Sequence, residues 1–301
     1  MPHVRHFLSL DDVSRPELEA LIARAIELKQ QGPSAEQQII LAGKTLAMIF
    51  TKASTRTRVS FNVAMRQLGG GTIELTPNDT QIGRGEPLKD TARVLSSMVD
   101  GIMIRTADHG DIEQLAAFSQ VPVINGLSDL LHPCQLLADL QTFIELRGSI
   151  QGATVAWVGD GNNVCHSFMK ASALMGFSLR IATPKGFEPE KTLVKESSAS
   201  YQLTHDPLEA VDQADLVVTD TWASMGQESE KAERLHAFEG FCVDSALMSK
   251  AKPDALFMHC LPAYRGYEVS EAVFEGPQSV VFQEAENRLH AQKALLELLL
   301  A

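Results

Sequence analysis

Thr45-Leu46-Ala47-Met48-Ile49-Phe50 runs without a charge, and three residues later comes Ser54-Thr55-Arg56-Thr57-Arg58. The apolar hexamer reads as a buried strand. From Ser54 to Leu68 the pattern changes to that of a helix, with Phe61, Ala64, Met65 and Leu68 on one side and Gly69-Gly70-Gly71 ending it. Three hydroxyls and two guanidinium groups therefore crowd a strand-to-helix turn. A helix N-terminus offers free N–H groups and the positive end of the dipole, which suits an oxyanion. Arginine adds a planar fork matched to phosphate oxygens. A lone Ser-Thr pair would read as a helix cap beside solvated arginines. This density of donors favours a phosphate site.

Working outward, strand-like and helix-like segments alternate almost throughout. An amphipathic helix is expected near Arg15–Gln31, and apolar runs recur at Thr72–Leu75, Gly101–Arg105 and Val121–Asn125. Helical patterns at Leu88–Met98 and Ile112–Ser119 separate them, and a longer one spans Cys134–Arg147. After Gly148-Ser149-Ile150-Gln151-Gly152, a boundary by composition, the alternation restarts at Thr154–Val158, Leu179–Ala182, Asp215–Asp220, Ala255–His259 and Ser279–Phe282. The last helix, Ala285–Leu300, is strongly apolar on one side and is expected to pack back on another element. Alternation of this kind implies parallel sheets. The expected fold is α/β, with two doubly wound parallel-sheet domains and the active site in the cleft between them. The expected division is residues 1–148, with helix 284–301 packing back on them, and residues 149–283.

Composition narrows the function. A chain of 301 residues is long for a single core. Its net charge of −12 argues against a general nucleic-acid or anionic-membrane surface. In so acidic a protein, a local cationic pocket is a selective device for a small anion. The four cysteines are scattered, as free thiols in a reducing compartment would be. No run approaches a membrane span and none has signal-peptide length, so a cytoplasmic location is expected.

Further motifs fall where strands end. Arg105 closes Gly101-Ile102-Met103-Ile104, although an ordinary surface arginine reads the same way. His132-Pro133-Cys134-Gln135 opens a helix, with Pro133 suited to the first helical position and His132 and Gln135 able to donate to a carbonyl oxygen. Gly159-Asp160-Gly161-Asn162-Asn163-Val164 has a Gly-x-Gly turn, but Val164 stands where a dinucleotide fingerprint needs Gly or Ala. Asn163 remains a candidate for holding a substrate carboxylate or amine. Asp220 ends the strand before Thr221-Trp222-Ala223-Ser224-Met225-Gly226; it could attract a cationic group or cap a helix. His259-Cys260-Leu261-Pro262 invites a metal or nucleophile reading, but neither the ligand spacing of zinc nor a base for the thiol is visible. Leu261-Pro262 is a candidate cis peptide. The loop Thr76–Glu86, polar and carrying Asp79, Gln81, Arg84 and Glu86, reads as functional or as plain surface.

Taken in order along the chain, these motifs resemble the aspartate/ornithine transcarbamoylase family, on its ornithine side. The resemblance rests on Ser54-Thr55-Arg56-Thr57-Arg58, Gln81, Arg105, His132-Pro133-Cys134-Gln135, Asn163, Asp220, Ser224-Met225-Gly226, His259-Cys260-Leu261-Pro262 and Arg288. It implies that Ser54, Thr55, Arg56, Thr57, Arg105, His132, Gln135 and Arg288 bind carbamoyl phosphate, with Gln81 reaching that ligand in a neighbouring subunit of a homotrimer. Asn163, Asp220, Ser224 and Met225 would hold ornithine, and Cys260 and Leu261 would lie between the two substrates. The catalytic set would be Arg105, His132, Asp220 and Cys260, with no metal and no organic cofactor. Asn62 departs from the pattern, where a glutamate is common; little effect on the chemistry is expected, with a lost structural ion pair as the alternative. Arg58 is expected to brace the turn. Competing readings are a transcarbamoylase for putrescine, an NAD-dependent oxidoreductase built on Gly159-x-Gly161, and a catalytically silent subunit.

Overall fold

Strand β1, Thr45–Phe50, lies in the middle of a parallel sheet, which is why its run is apolar on both faces. The computed structural model describes residues 4–77, 80–81, 85–190, 193, 201–222 and 231–301. By compactness the chain falls into two units, residues 1–141 with 286–301, and residues 142–285.

In the first unit, α1 (Arg15–Gln31) precedes β1, α2 (Thr55–Gln67), β2 (Gly71–Leu75), α3 (Leu88–Ser96), β3 (Gly101–Arg105), α4 (His109–Phe118), β4 (Val123–Leu127) and α5 (Pro133–Arg147). All strand pairs are parallel and the order is β2-β1-β3-β4. Ala47, Ile49, Ile102, Ile104 and Val123 fill the core beneath α3 and α4, against Ala92, Ile112 and Leu115. The order reverses between β1 and β3, whose carboxyl ends are set side by side by the Phe50–Arg105 register. In open parallel sheets, such a reversal opens a crevice at the strand ends. Ser54 caps α2 there, its Oγ accepting from the Thr57 N–H at 3.3 Å. At the other end of α2, Gly69 turns at φ +89°, and a Cβ there would meet the Gln38 carbonyl oxygen at 1.8 Å. Arg58 pairs with Glu74 at 2.6 Å and lies over the Phe50 ring, the bracing role expected of it. Asn62, which stands where a glutamate is common in the family pattern, donates to Thr72 Oγ1 at 2.7 Å and ties α2 to β2.

The second unit holds β5 (Thr154–Val158), α6 (Asn163–Met175), β6 (Ser178–Ala182), β7 (Tyr201–Thr204), α7 (Pro207–Val211), β8 (Leu216–Thr219), α8 (Lys231–Ala237), α9 (Ser245–Met248), β9 (Leu256–His259) and α10 (Glu271–Phe274). Its sheet is also wholly parallel, in the order β7-β6-β5-β8-β9, so the reversal falls between β5 and β8. Ala156, Val158, Val217 and Phe257 pack with Phe238, Phe241 and Trp222 in its core. A final helix, α11 (Val281–Leu300), closes the chain.

Three expectations need correction. Ser279–Phe282 is not a strand: Ser279 makes one bridge to Phe257 and α11 starts at Val281, whose apolar side chain is buried in the helix's first turn. Strand β4 lies two residues later than the apolar run suggested, because Val121 and Pro122 lead into it. Strand β7 was missed; as an edge strand it is half-exposed and its sequence, Tyr-Gln-Leu-Thr, carries little pattern. Among the described residues no helix is long and apolar enough to cross a membrane.

The Gly-x-Gly turn after β5 has a packing explanation. Gly159 adopts φ +142°, and a Cβ on Gly161 would meet the backbone of Pro189, Glu188 and Phe187 at 2.3–2.7 Å. Two chain segments touch through a missing side chain, which requires no pyrophosphate. Gly161→Ala is expected to destabilise the protein by about 1–3 kcal/mol through forced backbone movement, measured by denaturant unfolding.

Candidate active site

The reversal point of the first sheet gathers the cations. Arg105, at the end of β3, and Arg288, on α11, are 7% and 3% exposed. Both aim at one hydroxyl: Thr57 Oγ1 accepts from Arg288 Nη2 at 3.2 Å and from Arg105 Nη1 at 3.5 Å. Arg288 Nη1 also donates to Gln135 Oε1 at 2.6 Å. His132, directly before α5, is buried among them. Burial first, then the charges of Arg288, Arg105 and Arg56, holds its pKa well below the usual imidazole range. His132 is therefore a neutral N–H donor, suited to a carbonyl oxygen that gains charge. Cys134, two residues on, is no nucleophile: burial pushes its thiol up to about 12, and its Sγ donates to the Asn125 carbonyl at 3.3 Å.

Ser54 and Thr55 open α2 above this cluster, with Arg56 half-buried in its first turn. The result is a helix N-terminus, two buried guanidinium groups, a hydroxyl and a neutral imidazole around one strand-end crevice. It can hold a polyanion with an adjoining carbonyl. Gln81 is not part of this cluster; it is exposed, and its carbonyl accepts from the Glu86 N–H at 3.0 Å. Asp79 and Arg84 of the same loop lie outside the described residues.

The second unit presents the opposite sign. Asp220, just past β8 and 6% exposed, accepts from Asn162 Nδ2 at 2.7 Å, from the Thr221 N–H at 2.7 Å and from Cys260 Sγ at 3.1 Å. Asn163 is the first residue of α6; its neighbour Asn162 is the cap, with Oδ1 accepting from the Val164 and Cys165 N–H groups. The Asn162 contact to Asp220 was not foreseen, although an Asn before a helix is a capping signal. Ser224 and Met225 lie outside the described residues.

The His259–Pro262 turn is fixed from behind. The Leu261 N–H donates to His259 Nδ1 at 2.9 Å, so Nε2 carries the proton toward Glu268 Oε1, 3.2 Å away. Glu284 accepts from the His259 N–H at 2.9 Å. Leu261 sits at φ +60° and its bond to Pro262 is cis. Asp220, His259 and Cys260 bring three potential metal-ligand atoms within 4.8 Å of one another. Both His259 nitrogens are already engaged, so a cation there would have to break one of those bonds.

Sequence reasoning also missed Arg234 and Asp160. Arg234 Nη1 donates to Asp160 Oδ2 and to the Trp222 carbonyl, both at 2.9 Å, with its guanidinium over the Phe187 ring. The pair joins the turns that follow β5 and β8. Burial raises the Asp160 carboxyl to about 6, with Arg234 opposing the rise and Asp220 adding to it.

With this geometry in view, comparison with known proteins is decisive. The model of the aspartate/ornithine carbamoyltransferase carbamoyl-phosphate-binding domain matches residues 5–145, and that of the Asp/Orn-binding domain matches residues 151–299. The chain belongs to the aspartate/ornithine carbamoyltransferase family. It is 60% identical to the ornithine carbamoyltransferase of Methylococcus capsulatus over 98% of each chain, and 57% identical to that of Hydrogenovibrio crunogenus over 99% of each. Among solved structures, it is similar to the ornithine carbamoyltransferase of Pyrococcus furiosus, with a TM-score of 0.92, 51% identity and 98% and 97% coverage. It is similar also to the anabolic ornithine carbamoyltransferase of Campylobacter jejuni, with a TM-score of 0.92, 46% identity and 98% and 99% coverage.

The raised Asp160 carboxyl predicts a pH effect. The folded state binds this proton more tightly than the unfolded chain, whose value is near 3.8. Its contribution to stability is thus full below about pH 4 and is lost as pH rises through about 6. Denaturant unfolding from pH 4.5 to 7.5 is expected to show the wild type gaining on Asp160→Asn as pH falls, and a constant difference above pH 7.

Proposed function

We propose that the chain is an ornithine carbamoyltransferase, converting carbamoyl phosphate and L-ornithine into L-citrulline and phosphate. The observation that carries this reading is the division of charge: one strand-end crevice lined with buried cations and a neutral imidazole, another with Asp220 held by Asn162 and Cys260. The first suits a phosphate joined to a carbonyl. The second suits an amine, and is the wrong sign for the carboxylates of aspartate. The names of the relatives support the same acceptor, and putrescine is not favoured.

In this reading residues 1–148 with 284–301 bind carbamoyl phosphate and residues 149–283 bind ornithine. Ser54, Thr55, Arg56 and Thr57 hold the phosphate together with the first turn of α2. Arg105, His132 and Thr57 donate to the carbonyl oxygen as its carbon becomes tetrahedral. The δ-amine attacks only when neutral, so Asp220 and Cys260 bind it and ease the loss of its proton. The C–N bond forms first, and the tetrahedral centre then collapses with cleavage of the C–O bond. The phosphate leaves with the bonding pair and takes the second amine proton, while Arg56, Arg288 and the helix dipole stabilise its charge. Asn163, Ser224 and Met225 hold the rest of the acceptor, while Leu261 and Gln135 contact the carbamoyl group. Chemistry of this kind requires neither metal nor organic cofactor.

We place the reaction in arginine biosynthesis in the cytoplasm, in line with the anabolic Campylobacter jejuni protein. The assembly is a homotrimer; the exposure of Gln81 fits a side chain serving a neighbouring subunit's site.

A citrulline assay offering ornithine, putrescine, lysine and aspartate beside carbamoyl phosphate tests the function, with turnover expected for ornithine; activity confined to another acceptor refutes it. Arg56→Ala is expected to lower kcat/KM by about 10²–10³ without loss of folded protein. Asp220→Asn is expected to raise the KM for ornithine while leaving that for carbamoyl phosphate near its wild-type value.

A further inference from the structure

At the end of α2 remote from the crevice, a lysine is buried without an acid. Lys293 of α11 is 0% exposed. Its ammonium donates to Gln37 Oε1 at 2.5 Å and to Gln67 Oε1 at 3.1 Å. Among the described residues no carboxylate is in ion-pair contact with it. Glu297, one turn further along α11, is taken by Arg24, whose Nε lies 2.9 Å away. Burial first, then the charge of Arg24, lowers the Lys293 pKa from its usual value, with Glu297 opposing. Burying an ammonium among neutral acceptors is costly, and an apolar residue of similar length would fill the same space at less cost. The best-attested use of such a group is to fix register. Apolar packing has no direction, whereas a hydrogen bond fixes distance and angle together.

The two ends of α2 show what that register serves. Lys293 meets Gln67, the last residue of α2, while Arg288 Nη2 meets Thr57 Oγ1 in its first turn. Helix α11 is thus fastened to α2 at both ends. About 15 Å of helix separates Thr57 from Gln67, but about 7.5 Å separates Arg288 from Lys293. The two side chains therefore splay in opposite directions, and a slide of α11 that relaxes one contact strains the other. Ala291, buried between them on α11, is too small to resist sliding. Asn287 is anchored to other helices, its Oδ1 accepting from Lys29 of α1 at 2.7 Å and from Gln141 of α5 at 3.3 Å. Loss of the Lys293 tie would remove the directional contact at the far end of α2. The consequence for the ligand rests on the reading that Arg288 binds carbamoyl phosphate. A guanidinium misplaced by about 1 Å no longer meets a phosphate oxygen squarely.

We propose that Lys293 is a positioning residue: its ammonium, held by Gln37 and Gln67, fixes α11 along α2 and thereby sets the place of the Arg288 guanidinium at the phosphate site.

The test is a double-mutant cycle on the full chain, read by calorimetric binding of phosphonoacetamide, a stable stand-in for carbamoyl phosphate. Lys293→Met is expected to weaken binding about five- to tenfold on its own. With Arg288→Gln already present, the same change is expected to alter affinity by no more than about twofold, because its effect runs through Arg288. Gln67→Met removes an acceptor from the half-buried side of the tie and is retained in case Lys293→Met fails to fold. It is expected to weaken binding with the same dependence on Arg288. Gln67→Glu keeps an oxygen acceptor and is expected to bind as the wild type does. A merely structural lysine would leave affinity unchanged or weaken it equally in both backgrounds, and either result overturns the proposal. If Arg288→Gln alone binds as tightly as the wild type, the reading of Arg288 fails, and the proposal with it. If Arg288→Gln weakens binding while neither Lys293→Met nor Gln67→Met does, the proposal falls and that reading stands.

Discussion

Two guanidinium groups are buried against one threonine hydroxyl, and the first unit is organised around that fact. Arg105 and Arg288 are both nearly inaccessible, and both donate to Thr57. Burying cations is costly unless anions or acceptors surround them. The chain meets the demand in three ways. Parallel pairing of β1 with β3 brings Arg105 beside the start of α2. Gln135 and Asp139 relay an acceptor from α5. The third is a neutral His132, kept from adding a further charge first by burial and then by the arginines it faces. A phosphate entering such a site meets donors that are already in position, so little reorganisation is needed when charge develops.

The second unit solves the converse problem with the same architecture. Its strand order also reverses once, and the turns flanking the reversal carry Asp160 and Asp220. Burial first raises the Asp160 carboxyl, and the nearby Asp220 adds to the rise. Arg234 answers Asp160, while Asn162, the Thr221 N–H and the Cys260 thiol satisfy Asp220. One acid is thus held by a buried guanidinium and the other by neutral donors. Parallel sheets favour this economy, since every strand delivers its following turn to the same edge.

The fold class was legible because parallel α/β proteins write it locally: unbroken apolar runs for central strands, amphipathic runs for helices, glycines and capping residues between them. Reading failed where that pattern weakens. Strand β7 is an edge strand with little hydrophobic demand, and Val281, at the end of an apolar run, is buried in a helix's first turn. The turn at Ser54–Thr57 stood out by its density of donors, whereas Arg105 and Asp220 were placed at strand ends where a surface arginine and a helix cap read the same way. Arg288 could not be placed by position; it meets Thr57 across 231 residues of sequence, and only family resemblance pointed to it. Asp139, Arg234 and Glu268 carried no local signal, being an acid on a helix, a base on a helix and an acid in a loop. Their importance comes from what they touch. Asn162 is within reach of capping rules, since it directly precedes α6 and its Oδ1 accepts from the helix's first N–H groups.

The first unit is discontinuous in the chain, since residues 142–285 intervene before the segment that carries Arg288. This imposes an order of events during synthesis. The sheet β2-β1-β3-β4 can pair as soon as β4 has been made, because all four of its strands precede that point. Its cationic crevice, however, is incomplete until the whole second unit has been translated and Arg288 has returned to Thr57. A nascent chain therefore has its scaffold long before it has its ligand site. The closing of that long loop is the step on which the ability to bind anions depends.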